Sequence, residues 1–192
     1  IQLFAPSVAY AADTGTGADV IGGSGALLPL PSLDAAPLSP HVSELHVVIS
    51  EVMWMGSDLS TADEWVEIAT TGSGSQARDI SGWKLTIQKT TGESTIATLP
   101  AGSSIGSGQF LVLSNYDKDH SRLLNDPYMT STSMSLPNTK LLLRLRDASG
   151  ALIDEVDDGV GNPFAGSNPS QNGPKASMER IDSAVAGNIA SN

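Results

Sequence analysis

The sequence of 192 residues contains no cysteine, which excludes disulfide bonds and thiolate chemistry. Aromatic residues make up 5% and charged residues 16% of the chain, and both fractions are low. Turn-forming residues are common instead, with 19 glycines and 11 prolines. This composition favours an all-β fold. The length suits one domain with a full hydrophobic core.

Basic residues are scarce as well. The chain has 10 Lys and Arg against 21 Asp and Glu, which gives a formal net charge of -11 at pH 7. Phosphate binding needs a basic stripe, so nucleic acid is not expected as a partner. No apolar run approaches the ~20 residues that span a bilayer, so the sequence predicts no transmembrane segment. The acidic surface favours a cationic partner without identifying one.

The N-terminal residues indicate export. Residues 1–11 resemble the end of a signal peptide, because Ala9 and Ala11 occupy the small-residue positions of an A-x-A cleavage site. Residues 12–44 are rich in Gly, Ser and Pro and are predicted to form a linker. We therefore expect a secreted or surface-displayed protein. The alternative is that residues 1–11 are an ordinary apolar tail.

From residue 45 onward, the sequence consists of short apolar or alternating segments separated by turns. These segments are residues 46–55, 64–69, 82–88, 109–115, 140–146, 152–156 and 176–181. Clean alternation within 82–88 places Trp83, Leu85 and Ile87 on one face. These segments predict a β-sandwich of seven to nine mostly antiparallel strands over residues 45–182. Residues 183–192 are predicted to form a C-terminal tail.

The order of the motifs resembles that of bacterial lamin tail domains. The shared motifs are Ile49-Ser50-Glu51-Val52, Glu64-Trp65-Val66-Glu67-Ile68, Asp79-Ile80-Ser81-Gly82-Trp83-Lys84-Leu85, Gly108-Gln109-Phe110-Leu111-Val112-Leu113, Leu141-Leu142-Leu143 with Asp147-Ala148-Ser149-Gly150, and Ser177-Met178-Glu179-Arg180. The resemblance implies an immunoglobulin-like sandwich without catalytic residues or cofactor. It implies a binding or anchoring module whose partner is an unidentified protein or cell-surface ligand.

Bacterial members of that family are exported proteins, and some carry the domain beside nucleases or phosphatases. An alternative function is therefore an accessory carbohydrate- or calcium-binding module of an extracellular hydrolase. Asp157, Asp158 and Asn162 form a possible calcium site in an oxygen-rich loop. The other interpretation of these residues is a solvated acidic loop.

Trp65 and Glu67 are the candidate binding residues. If Val66 and Ile68 face the core, Trp65 and Glu67 face outward, because side chains alternate along a strand. An outward Trp beside a carboxylate can stack on a sugar ring or bind a protein. The alternative is that Trp65 packs under a loop or against a neighbouring strand.

No motif in the sequence predicts catalysis. The segment 102–106 matches the G-x-S-x-G pattern of a nucleophile elbow, but Pro100 precedes it and a strand follows where the motif needs a helix. His41 and His46 do not match a zinc motif. An EF-hand pattern beginning at Asp117 fails because Arg122 stands where glycine is required. We therefore expect a non-enzymatic protein.

Overall fold

The computed structural model describes residues 45–74, 76–169 and 173–192. The strands in these ranges are β1 (His46–Met53), β2 (Trp65–Thr71), β3 (Arg78–Asp79), β4 (Lys84–Lys89), β5 (Gly92–Thr98), β6 (Ser104–Ile105), β7 (Phe110–Ser114), β8 (Met129–Thr130), β9 (Leu143–Arg146), β10 (Leu152–Val156) and β11 (Met178–Glu179). One turn of 3-10 helix, Lys118–His120, lies between β7 and β8. The predicted signal remnant (1–11) and linker (12–44) lie outside the described residues.

The strands form two main sheets. One has five strands in the order β11-β1-β2-β7-β8, and the other has four in the order β10-β9-β4-β5. The pair β3-β6 stands apart from both. The strand pairs are antiparallel except for β7 with β8, which run parallel. Seven of the described strands have four or more residues, so the predicted all-β sandwich is confirmed.

Alternation along the strands builds the core. Val66 and Ile68 of β2 are fully buried, as are Leu143 and Leu145 of β9. Each lies one position from a residue that faces away from the core, because successive side chains point to opposite sides of a sheet. The core joins both sheets and also includes Ile49, Val52, Trp83, Leu85, Ile87, Leu113, Leu141 and Met178. The predicted inward set Trp83, Leu85 and Ile87 is thus confirmed.

Two features of the sheets differ from the sequence prediction. Strand β5 was not predicted, since its sequence GESTIAT is mostly polar and shows no clear alternation. It forms an edge of the four-stranded sheet, where one side of the strand has no neighbour to bury it. The last predicted strand, over 176–181, is reduced to the two residues of β11.

The C-terminal residues also contact the sheets. The Asp157 amide donates to the Gly187 carbonyl at 3.1 Å, and Val156 forms an isolated parallel bridge with Gly187. The segment assigned to a tail from the sequence therefore lies along the end of β10. Among the described residues, no helix is long and apolar enough to cross a membrane.

Candidate binding surface

The outer face of the five-stranded sheet carries the predicted binding residues. Because Val66 and Ile68 are buried, Trp65 and Glu67 of β2 lie on the opposite side, where each is half-buried. Their cross-strand partners on β7 are Ser114 for Trp65 and Val112 for Glu67, and Ala69 faces Phe110. Residues directly opposite each other share one face. Alternation thus places the two side chains as predicted, while ligand binding by them stays a prediction.

Phe110 makes this face unusual. Its side chain is 66% exposed at the start of β7, before Leu113 and Ser114, the positions at which β7 pairs with β8. Val112, two residues further on, is half-buried on the same face. Exposed aromatic groups next to apolar neighbours are typical of interaction surfaces. We call Trp65, Glu67, Phe110 and Val112 the outer face.

Glu67 of the outer face belongs to a row of three glutamates that runs across β2, β1 and β11. Glu51 of β1 lies directly opposite Glu67 of β2 on one side and Glu179 of β11 on the other. Burial raises the pKa of Glu51, and the charges of Glu67 and Glu179 raise it further against a hydrogen bond from Ser177. Glu67 accepts a hydrogen bond from the Ser50 hydroxyl at 2.7 Å. This row gives the surface a negative potential that favours cationic groups.

The other two tryptophans serve the fold. Trp54 is buried, and its indole N–H donates to the Ala165 carbonyl at 3.0 Å. Trp54 therefore packs beneath the loop that precedes β11. Trp83 is buried in the core, and the Arg78 guanidinium lies 5.6 Å from its ring centre. Trp65 is thus the tryptophan that contributes to the outer face.

The Asp157 loop is held by its own backbone. Asp157 is fully buried, and its two carboxylate oxygens accept from the amides of Asp158 at 2.7 Å and Phe164 at 2.9 Å. Burial raises the pKa of this carboxyl. Asp158 is exposed and accepts from the Val160 amide at 2.7 Å, and Asn162 is also exposed.

These contacts give Asp157 and Asp158 a structural role in ordering the loop. Among the described residues, no group of three or more His, Asp or Glu side chains is placed to hold a metal ion. Calcium binding by Asp157, Asp158 and Asn162 stays a prediction, because asparagine and carbonyl oxygens can also be ligands.

Comparison with known families decides the classification. The model of the family described as Lamin Tail Domain matches residues 41–159, which is more than half of the chain. The chain belongs to the lamin tail domain family. The match covers β1 to β10 and ends before β11, so the Ser177–Arg180 motif lies outside it. No curated protein matches the sequence.

Lamin tail domains are immunoglobulin-like modules that are generally non-catalytic, and the G-x-S-x-G segment of this one fits that description. Ser104 lies in the short strand β6 and pairs with Asp79, and β7 follows. Ser103 is buried, its hydroxyl donates to the Pro100 carbonyl at 2.7 Å, and it accepts from Tyr128. The segment therefore forms a turn and the short strand β6, and it is followed by a strand where a nucleophile elbow needs a helix.

The two histidines in the described part of this lamin tail domain, His46 and His120, lie in different parts of the fold. His46 is exposed at the start of β1, and His41 lies outside the described residues. His120 is exposed and contacts Asp117 through Nδ1 at 2.6 Å. Asp117 also caps the 3-10 turn by accepting from the backbone amides of Asp119 and His120.

The adjacent buried carboxylates of Asp63 and Glu64 were not predicted from the sequence. Asp63 accepts from the Ser121 hydroxyl at 2.5 Å and from the Arg122 amide at 2.9 Å. Glu64 accepts from the Leu136 amide at 2.8 Å. Both carboxylates are buried and hold the long connection from β7 to β9 against the start of β2. No local pattern predicts this arrangement, because the donors lie 58 to 72 positions further along the chain.

Glu64 is expected to make stability fall as pH rises. Burial raises its pKa from 4.5 to about 7, against the bond from Leu136, so the folded protein retains a proton that the unfolded chain loses. The stabilisation is full below pH 4.5 and is lost as pH rises through about 7. Glu64→Gln keeps an acceptor and is expected to stabilise the protein at pH 8 by about 2 kcal/mol, with little change at pH 4.

Urea unfolding at pH 4 and pH 8 measures this effect. The exposed Asp126→Asn in the same connection is the matched control, and its pH dependence should follow the parent protein. An equal difference between Glu64→Gln and the parent at both pH values would show that Glu64 does not titrate in this range.

Proposed function

We propose that this chain is a binding or anchoring module of an exported bacterial protein, and that its outer face contacts a cationic partner. The observation that carries this proposal is an outer face that includes the exposed Phe110, the half-buried Val112 and Trp65, and one member of the glutamate row. Apolar contact would supply affinity, while the glutamates would select positive charge. The A-x-A site at Ala9 and Ala11 supports export, and the generally non-catalytic family supports a binding role.

The four-stranded sheet on the opposite side of the sandwich carries charged side chains that pair with one another. On the four-stranded sheet, Arg144 pairs with Glu155 at 2.6 Å and with Glu93 at 3.3 Å. Arg146 pairs with Glu93 at 2.5 Å and lowers the pKa of Glu93 to about 2. These charges already satisfy one another, so a partner would have to break existing pairs. This contrast favours the five-stranded sheet as the binding side.

Phe110→Ser is expected to weaken binding to the cell envelope of the source organism at least about fivefold, because exposed aromatic anchors dominate interface energies. The measurement is co-sedimentation of the purified chain with isolated envelopes over a range of protein concentrations. Leu152→Ser on β10 is the matched control, since Leu152 is 51% exposed on the other sheet.

Three outcomes decide this test. The proposal is supported if Phe110→Ser loses binding while Leu152→Ser retains it. Recovery of binding by Phe110→Ser at low salt would in addition support a cationic partner, because salt screens the attraction between charges. Equal binding of both variants and the parent would contradict the proposal. Equal loss in both variants would also contradict it, because binding would then not depend on this face.

A carbohydrate-binding role is the second candidate. The half-buried Trp65 beside Glu67 favours it, since a sugar ring can stack on an indole while a carboxylate accepts its hydroxyl groups. In that case the chain would act as an accessory module of an extracellular hydrolase. Quenching of tryptophan fluorescence by soluble glycans, abolished in Trp65→Phe, would separate this function from binding of a cationic protein.

A further inference from the structure

A hollow of about 490 Å³ lies at the end of β4, on a different part of the molecule from the outer face. Ile87, Lys89 and Thr90 form one side of it, and Pro137, Thr139 and Lys140 form the other. The volume is within the range of small-molecule sites in proteins. The residues that line the hollow include the apolar Ile87 and Pro137.

Hydrogen bonds fix the segment that forms the second wall. At its beginning, the Leu136 amide donates to Glu64 at 2.8 Å. At its end, the Lys140 amide donates to the Gly161 carbonyl at 2.6 Å, and the neighbouring Gly159 amide donates to Leu141. Both ends of the segment are therefore held in place without a ligand. A preformed wall of this kind lowers the entropy cost of binding.

Two lysines mark the hollow as a site for an anion. Lys89 and Lys140 are exposed, and neither forms an ion pair with any residue that the structure describes. The lack of an ion pair is unexpected in a chain that has 21 acidic residues and 10 basic ones. Lys140 also has a φ of 57°, a left-handed conformation that is unfavourable for a residue other than glycine. Such strain is concentrated at ligand sites.

We propose that this hollow binds a small amphipathic carboxylate, with an apolar chain or ring against Ile87 and Pro137. The carboxylate would face Lys89 and Lys140. Burial of the ligand body against Ile87 and Pro137 supplies affinity, and the lysines select its charge. The site does not depend on the outer face or on its partner.

Decanoate titrated into the 192-residue chain tests this proposal, with amide chemical shifts followed by ¹H–¹⁵N NMR. Saturable shifts are expected at Lys89, Thr90, Thr139 and Gly159. The double variant Lys89→Gln/Lys140→Gln is expected to weaken decanoate binding at least about tenfold, because both opposing charges are removed. Decanol, which lacks the charge, should bind more weakly and equally well to the parent and the double variant.

Lys84→Gln is the matched control, since Lys84 is an exposed lysine of β4 that does not line the hollow. It is expected to keep the affinity of the parent for decanoate. Unchanged affinity in the double variant would overturn the proposal, as would shifts spread over other regions or an equal loss in Lys84→Gln. Both replaced lysines are exposed, and an unchanged NMR spectrum elsewhere confirms that the double variant folds.

Discussion

Asp154→Ala is expected to lower the free energy of unfolding by about 3–5 kcal/mol, because it leaves a buried guanidinium without its partner. Asp154 of β10 pairs with Arg180 at 3.0 Å, and the two side chains are 11% and 5% exposed. The other carboxylate oxygen accepts from the Ile49 amide at 2.7 Å. The register of β1 shifts between Ile49 and Glu51, so at this irregularity the carboxylate supplies an acceptor from the opposite sheet.

Urea unfolding of three variants measures this effect. The double variant Asp154→Ala/Arg180→Met is expected to recover part of the loss, since it removes the unpaired charge as well. Asp58→Ala, which breaks the exposed pair with Arg122, is the control and should leave stability nearly unchanged. If Asp154→Ala lowered the free energy of unfolding no more than Asp58→Ala does, the pair between Asp154 and Arg180 would not be a major contributor to stability.

Gly56→Ala is expected to destabilise the protein by more than about 3 kcal/mol and to open the turn that follows β1. A Cβ at this position would lie 2.4 Å from the Ser60 carbonyl oxygen and 2.5 Å from the backbone of Thr61. These are backbone atoms, so relief requires the turn to move. The φ of 65° adds a further cost for a residue with a side chain.

Gly102→Ala separates the two contributions. Gly102 has a φ of 83° but has no atom within 4 Å of an added Cβ, so only the backbone term applies, at about 1 kcal/mol. Thermal unfolding of both variants should therefore show a much larger decrease in midpoint for Gly56→Ala. Similar decreases in the two variants would contradict this expectation. They would mean that the turn at residues 56–61 rearranges at little cost and so relieves the contact of the added Cβ with Ser60 and Thr61.

Only part of the outer face was predictable from the sequence. Alternation around Val66 and Ile68 was enough to place Trp65 and Glu67 outward, because the two-residue period is a local property of a strand. The neighbours of these residues were not predictable in the same way. Phe110 belongs to the apolar segment 109–115, yet it is 66% exposed, and its position across from Ala69 depends on the register between β2 and β7.

The sequence by itself determined the all-β sandwich and the face that alternating positions such as Trp65 and Trp83 occupy, because local periodicity and turn residues encode these properties. The order of the motifs, and not periodicity, carried the resemblance to the lamin tail domain family. Only the tertiary structure decided the environments of the buried charges. Glu64 meets the Leu136 amide across 72 positions, and Asp154 meets Arg180 across 26. A strand pattern states which side a residue faces, but packing decides which distant donor lies there and therefore whether a buried carboxylate is protonated, paired or unstable.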